Sequence, residues 1–340
     1  MYNDGCVKIV WAKKLFLACL GLALGLLAAE GAARIEERHA SAYFYTPANM
    51  GGAWGDRAFK PSKTLGWVHV PGVFDFNSLG FANPNYPIKK APGVRRVMLI
   101  GDSLAEAYGR ALLKRLAAGP PPDPNVQLWN LGVGAYNIAQ ISEMFWERGL
   151  RYHPDSVVLF ICPIELDPYE PTFYKRDGHL VMLPWFRTKL ISPAFSPLWR
   201  WSALYRLAVL GYLNVHLKRV EPMPDCEQFG LRAMARIRNE CLRNHIPFVA
   251  FIFPYLMPVS EYTVREKRDY QTWLNILRRL HVRFFDLTPL MDGRKTQKMR
   301  QAPGDYIHFG AAGRAMAMDM VFHLLKQNGL LLASKPASVR

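Results

Sequence analysis

Two hydrophobic rhythms alternate along most of this chain. Residues 95–100, 126–131, 156–162, 247–253 and 282–286 are short, nearly continuous apolar runs rich in Val, Leu, Ile and Phe. Such runs predict strands buried on both faces. Between and after them, residues 104–117, 136–150, 227–244 and 266–280 show apolar positions at helical spacing, and a last helix is predicted after Gly310. Strand and helix in regular succession require crossover connections. The pattern therefore predicts an α/β domain with a mostly parallel sheet of about five strands and helices on both of its faces.

Two stretches break the rhythm. Residues 35–93 are rich in Gly, Pro, Asn and aromatics with little periodicity, which predicts an extended lead-in to the domain. Residues 165–225, heavy in Trp, Tyr, Leu and Arg, read as a partly helical insertion: a cap over a site, a surface resting on a membrane, or helices packed on the core. The expected division is an N-terminal anchor over 1–34, the lead-in over 35–93, the α/β domain over 94–330 and a tail over 331–340.

The anchor is predicted from an apolar run over residues 15–29, preceded by Lys8, Lys13 and Lys14 and followed by Glu30 and Arg34. It is shorter than the roughly 20 residues that span a bilayer, but lysine snorkelling and extension through Ala33 lengthen it. Small residues after it show no clear cleavage site, so an uncleaved anchor is favoured over a removed signal peptide. The basic N-terminus stays in the cytoplasm, placing all that follows Arg34 on the other side, the periplasm in a Gram-negative cell.

A formal net charge of +16 changes this picture little. The basic residues are scattered and accompany no nucleic-acid module, so the excess suits contact with anionic lipid or polymer and nucleic acid is not expected as a partner. Cysteines at 6, 19, 162, 226 and 241 form no C-x-x-C pair. Cys226 and Cys241 can be read as a disulfide or as two thiols. No metal site or cofactor is predicted.

Chemistry is suggested at two places. The turn Gly101-Asp102-Ser103-Leu104 follows a buried strand and opens a helix, the position at which an open parallel sheet presents its ligands. There a serine hydroxyl meets the crevice, and its own N–H and the helix N-terminus favour a developing oxyanion. A serine hydroxyl is a weak nucleophile without a base, and the base needs a carboxylate to hold its tautomer. Asp305-Tyr306-Ile307-His308-Phe309, just before the final helix, supplies both groups three residues apart.

With these motifs the chain resembles the SGNH, or GDSL, hydrolases, in particular membrane-anchored bacterial members. The resemblance runs over most of residues 77–326. It rests on Asn77-Ser78-Leu79-Gly80-Phe81, the strand and turn ending at Ser103, Asn130-Leu131-Gly132-Val133 with Gln140, residues 154–159, residues 285–289 and the Asp305/His308 segment. It implies a flavodoxin-like three-layer α/β/α fold and a catalytic triad of Ser103, His308 and Asp305. It also implies an oxyanion hole with donors from Ser103, from Gly134 or Ala135, and from an asparagine of the third block. Here Ile164-Glu165 stands where the family has Asn-Asp, so one donor is missing; Asn137 is a candidate substitute, and Glu165 a candidate substrate-binding group. The implied activity is an ester hydrolase or O-acyltransferase acting on acylated cell-envelope glycan or lipid. The alternative is a catalytically weak member that binds envelope polysaccharide or a biosynthetic partner.

Overall fold

The computed structural model describes residues 4–39, 58–62, 64–118, 125–166, 173–176, 179–182, 198, 201–216, 225–291 and 296–331. In chain order its elements begin with α1 (Asp4–His39), β1 (Phe59–Ser62), β2 (Gly66–His69), β3 (Arg95–Ile100), α2 (Ser103–Ala118), β4 (Val126–Asn130), α3 (Ile138–Met144) and β5 (Ser156–Ile161). They continue with β6 (Phe173–Arg176), β7 (His179–Met182), α4 (Ala203–His216), α5 (Cys226–Arg243), β8 (Phe248–Ile252), α6 (Val264–Arg279), β9 (Arg283–Asp286) and α7 (Ala311–Gln327).

The chain divides into two units, residues 1–56 with 171–222 and residues 57–170 with 223–340. The first holds α1, the antiparallel pair β6–β7 and α4. Residues Trp11–Ile35 of α1 are long and apolar enough to cross a membrane. The Glu30 carboxylate near the end of that stretch accepts hydrogen bonds from the Ala203 and Leu204 amides (2.9 and 3.0 Å) and the Ser202 hydroxyl (2.7 Å). It thus satisfies donors that the first turn of α4 leaves open.

The second unit contains a five-stranded, wholly parallel sheet in the order β4-β3-β5-β8-β9. Counted along the chain this is the 2-1-3-4-5 order of a flavodoxin-like doubly wound fold. Every residue of β5 is buried, as the unbroken apolar run demands. Val97 and Leu99, Val158 and Phe160, and Val249 and Phe251 lie in one core cluster with Leu104, Tyr108 and Leu112 of α2 and Met318, Val321 and Leu325 of α7. The alternating residues Met98, Ile100, Val157, Leu159 and Ile161 are equally buried and project from the opposite face. α3, α5 and α6 pack on one another to complete the three layers.

Several boundaries differ from the sequence expectation. The helix expected over 136–150 is α-helical only through Met144, continues as a π-turn over Phe145–Gly149 and tightens to 3-10 at Leu150–Tyr152. The lead-in is not featureless: β1 and β2 form an antiparallel hairpin with Trp67, Val68 and His69 all buried. Most of the insertion expected over 165–225, and the tail after 331, lie outside the described residues. Cys226 and Cys241 sit on one helix 15 residues apart, about 22 Å along its axis, which excludes a disulfide between them.

Candidate active site

β3 lies between β4 and β5, so the chain leaves it at the point where the strand order reverses, which is where a doubly wound sheet places its ligand crevice, at the carboxyl ends of the strands. The turn at that point requires Gly101. Its φ is +150°, and a Cβ there would stand 2.7 Å from both the Phe160 carbonyl oxygen and the Ala105 side chain. Asp102 follows, its Oδ1 accepting from the Leu104 amide at 2.8 Å, and Ser103 begins α2. This cap leaves the Ser103 N–H without a partner among the described residues, on a half-buried position facing the crevice.

The three residues expected to form a triad are brought together. Ser103 Oγ lies 2.8 Å from His308 Nε2, and His308 Nδ1 lies 2.9 Å from Asp305 Oδ2. The other carboxylate oxygen of Asp305 accepts from the amides of Ile307 (3.0 Å) and His308 (2.8 Å), so one short loop fixes acid and base together. Asp305 does not cap the final helix: Gly310 is the N-cap of α7, and it makes no side-chain hydrogen bond there. Burial alone would raise the Asp305 carboxyl, but the two amides and the adjacent imidazole hold it below the ordinary carboxylate range. An anionic Asp305 makes Nδ1 of His308 the protonated nitrogen, leaving Nε2 free to accept the serine proton.

The loop carrying His308 is pinned from several sides. The Gln301 amide donates to the His308 carbonyl (2.8 Å), the Leu256 amide to the Tyr306 carbonyl (2.7 Å), and Arg300 donates twice to the Leu256 carbonyl (3.1 and 3.0 Å).

The other expected site residues fall as follows. Gly134 lies beside the nucleophile, since a Cβ built on it would be 3.9 Å from that of Ser103. Its N–H, however, donates to Glu106 Oε2 at 2.9 Å. Ala135 has φ +64°, and its N–H has no partner among the described residues. Asn137 is the N-cap of α3, its side-chain oxygen accepting from the Gln140 amide at 3.0 Å in a full capping box, which gives it a structural task. Glu165 is buried, at 2% exposed. Its carboxyl sits against Asp102 and the Cys162 backbone without reaching full hydrogen-bond geometry.

Burial, then the neighbouring Asp102 charge, pushes the Glu165 carboxyl well above its ordinary value. Burial also raises Asp102, to about 6, against the Leu104 amide, the positive charge His308 can carry and the proton of Glu165. Burial therefore raises both members of the Asp102/Glu165 pair, and it acts further on Glu165.

Sequence reasoning missed Glu106, whose carboxylate is nearly buried beside Ser103. Burial would raise it, but the charge and hydrogen bond of His69, Arg110 and the Gly134 amide together hold it below the ordinary range. An acid in a helix's first turn reads as a solvated, dipole-stabilised group. The available signal was its position between Ala105 and Tyr108 on the face of α2 that turns inward.

No three or more His, Cys, Asp or Glu among the described residues are grouped to hold a metal ion. No protein-family profile and no curated protein sequence matches the chain. Among solved structures, a lipase/acylhydrolase from Enterococcus faecalis is similar over 71% of this chain and 100% of its own, at 14% identity and a TM-score of 0.44. A GDSL-like lipase from Bacteroides thetaiotaomicron covers 69% of this chain and 89% of its own, at 11% identity and a TM-score of 0.41. An acetylxylan esterase from Geobacillus stearothermophilus covers 71% of this chain and 97% of its own, at 12% identity and a TM-score of 0.45. These are distant structural similarities to SGNH/GDSL lipases and acetyl xylan esterases.

Proposed function

We propose that this chain is a serine ester hydrolase or O-acyltransferase that works through an acyl-Ser103 intermediate. The observation that carries the reading is the continuous hydrogen-bonded line from Ser103 Oγ through His308 to Asp305, with both links under 3 Å. In that arrangement Ser103 Oγ attacks the ester carbonyl carbon while its proton passes to His308 Nε2. The tetrahedral intermediate places its negative oxygen at the N-terminus of α2, near the Ser103 N–H. Collapse expels the alkoxide, which takes the proton from His308, and leaves the acyl group on Ser103. A water or an acceptor hydroxyl then gives its proton to His308 and attacks the acyl carbon, and the second tetrahedral intermediate collapses to release Ser103 Oγ, which takes that proton back from His308. Hydrolysis and transfer differ only in that last nucleophile.

The substrates we assign are acyl esters of cell-envelope glycan or lipid. The assignment rests on α1, whose leucines and Phe16 are exposed along the length of a helix that suits a lipid surround. The lysines before the apolar run put the second unit on the extracytoplasmic side, with α1 retained as an anchor. A second reading, a weak or inactive glycan-binding relative, is favoured by Glu165 in place of an amide donor and by the carboxylates of Asp102 and Glu106 close to Ser103.

A fluorophosphonate probe separates the two. Full-length protein in detergent should take the probe with the wild-type residue and not with Ser103→Ala. Labelling that survives the substitution would remove Ser103 as nucleophile, and no labelling of the wild type would favour the binding protein. Protease treatment of spheroplasts should cut the second unit and leave it intact if it lies in the cytoplasm.

A further inference from the structure

The Asn77-Ser78-Leu79-Gly80-Phe81 motif lies outside the triad. Asn77 Oδ1 accepts from the amides of Leu79 and Phe81, both at 2.9 Å, closing a tight turn. Gly80 holds φ +81° in that turn, and a Cβ would come within 2.9 Å of the His69 carbonyl oxygen, so the turn lies directly against the end of β2. There the Gly80 carbonyl meets His69 Nδ1 at 3.2 Å, while His69 Nε2 meets Glu106 Oε2 at 3.1 Å. Both ring nitrogens thus have an oxygen within hydrogen-bond reach, which fixes the orientation of the imidazole. Phe76 stacks on the ring with centroids 3.7 Å apart, and the ring is nearly wholly buried.

Glu106 Oε2 is shared: besides His69 it accepts the Gly134 N–H at 2.9 Å. Arg110, one turn along α2, approaches the other oxygen at 3.8 Å and is itself bound to Asp75 at 2.7 Å. The hairpin also takes the other side of Gly134, whose carbonyl accepts from Trp67 Nε1 at 3.2 Å. Tyr136 donates its hydroxyl proton to the Trp67 carbonyl, and Gln140 donates to the Leu65 carbonyl at 2.8 Å. Gly134 is therefore held by both its N–H and its C=O, and Tyr136 is held after it. Between them Ala135 is kept left-handed at φ +64°, a conformation that costs an alanine roughly 1–2 kcal/mol and needs its surroundings to maintain it.

We propose that Glu106 and His69 are positioning residues of the oxyanion hole: by engaging the Gly134 N–H they fix the loop so that the Ala135 N–H, together with the Ser103 N–H, is presented to the substrate oxyanion. The inference rests on the acyl-serine reading of the same site. It assigns the lead-in motif its part, which is to place the Gly80 carbonyl that orients His69. It also chooses between the two second-block candidates. Gly134 is spent on Glu106, and Ala135 is the donor. With no amide side chain from the third block, a misplaced Ala135 would leave the Ser103 N–H alone.

The test uses full-length protein in detergent, with p-nitrophenyl acetate as substrate and a fluorophosphonate as probe, whose phosphoryl oxygen occupies the oxyanion position after attack by Ser103. Glu106→Ala and His69→Ala should each lower kcat about tenfold or more with KM within about threefold, against the roughly 10²–10³ expected for a donor lost outright. The double variant should lose little beyond the worse single one, because one relay has been cut twice. Glu106→Gln, which keeps an oxygen for the Gly134 N–H, should recover most of the loss. That variant and His69→Gln decide the matter if the alanine variants melt early. Wild type that labels together with Glu106→Ala and His69→Ala that turn over and label at the wild-type rate would overturn the positioning role while leaving the hydrolase reading intact. Additive losses in the double variant, or a change confined to KM, would overturn it too. Wild type that neither labels nor turns over would bring down both.

Discussion

The Phe309 amide donates to the Tyr108 hydroxyl at 2.6 Å, tying the helix that carries the nucleophile to the loop that carries the base. Tyr108 lies five residues along α2 from Ser103, and Phe309 is next to His308. The hydroxyl is wholly buried, with Phe253 and Phe309 packed about its ring and the Arg314 guanidinium above it. Tyr108→Phe removes the acceptor and strands a buried N–H, which costs about 1–3 kcal/mol. The expected outcome is a lower melting temperature together with slower fluorophosphonate labelling, since His308 loses one of its restraints. An unchanged labelling rate would show that the other anchors of the loop suffice.

Asp305→Asn tests the carboxylate separately from the fold. Asparagine keeps an oxygen for the Ile307 and His308 amides, so the loop should hold its shape. It cannot stabilise the imidazolium and favours the wrong tautomer, so kcat should fall on the order of 10³–10⁴-fold with little change in KM. Steady-state rates with p-nitrophenyl acetate read this directly, and a loss below about tenfold would mean that Asp305 orients His308 without serving its charge.

Glu165 makes a prediction about stability and pH. Its pKa in the folded chain lies above the ordinary 4.5 because of burial and Asp102. A carboxyl raised in this way contributes fully below its unfolded pKa and loses that contribution as the pH rises toward the folded value. Glutamine does not ionise, so Glu165→Gln should gain stability over wild type from about pH 5 upward, with a limiting slope of about 1.4 kcal/mol per pH unit for one proton. Urea unfolding of both proteins at a series of pH values measures it. A difference that stays flat across the series would show an ionised Glu165 in the folded chain.

The elements that sequence patterning located well are those whose burial follows from local composition. β3, β5 and β8 are apolar on both faces because helices cover both, and they coincide with the apolar runs to within a residue. Ser103 and the Asp305/His308 pair were legible because each sits in a short motif whose chemistry is local. The β1–β2 hairpin was not, because Trp67, Val68 and His69 are buried in succession and break the two-residue alternation of a half-buried hairpin. The end of α3 departs from the helical spacing where the chain widens to a π-turn and packs tightly: a Cβ on Gly149 would meet Met98 Sδ at 2.8 Å, a contact that no local pattern announces. The His69–Glu106 contact spans 37 residues and joins two ordinary-looking positions, so nothing local announces it.

Gly132 and Gly134 offer a contrast within one loop. A Cβ on Gly132 would lie 2.3 Å from the Glu106 amide nitrogen and 2.7 Å from the Ala105 carbonyl carbon, both rigid backbone at the start of α2. Neither atom can yield without moving the helix that carries Ser103. Gly132→Ala should therefore cost about 1–3 kcal/mol or more from overpacking. At roughly 2–4 °C per kcal/mol for a domain of this size, the melting temperature should drop by several degrees. A Cβ on Gly134 meets nothing nearer than Glu106 Oε2 at 3.5 Å, an ordinary contact. Gly134→Ala should melt within about 1–2 °C of wild type, in line with a substitution worth under about 0.5 kcal/mol. Because its N–H is unchanged by the added methyl, Gly134→Ala should also keep the bond to Glu106 and most of the labelling rate. Equal losses from the two substitutions would mean that the loop does not rest on the α2 backbone at Gly132, and with it would go the close approach that brings Gly134 beside Ser103.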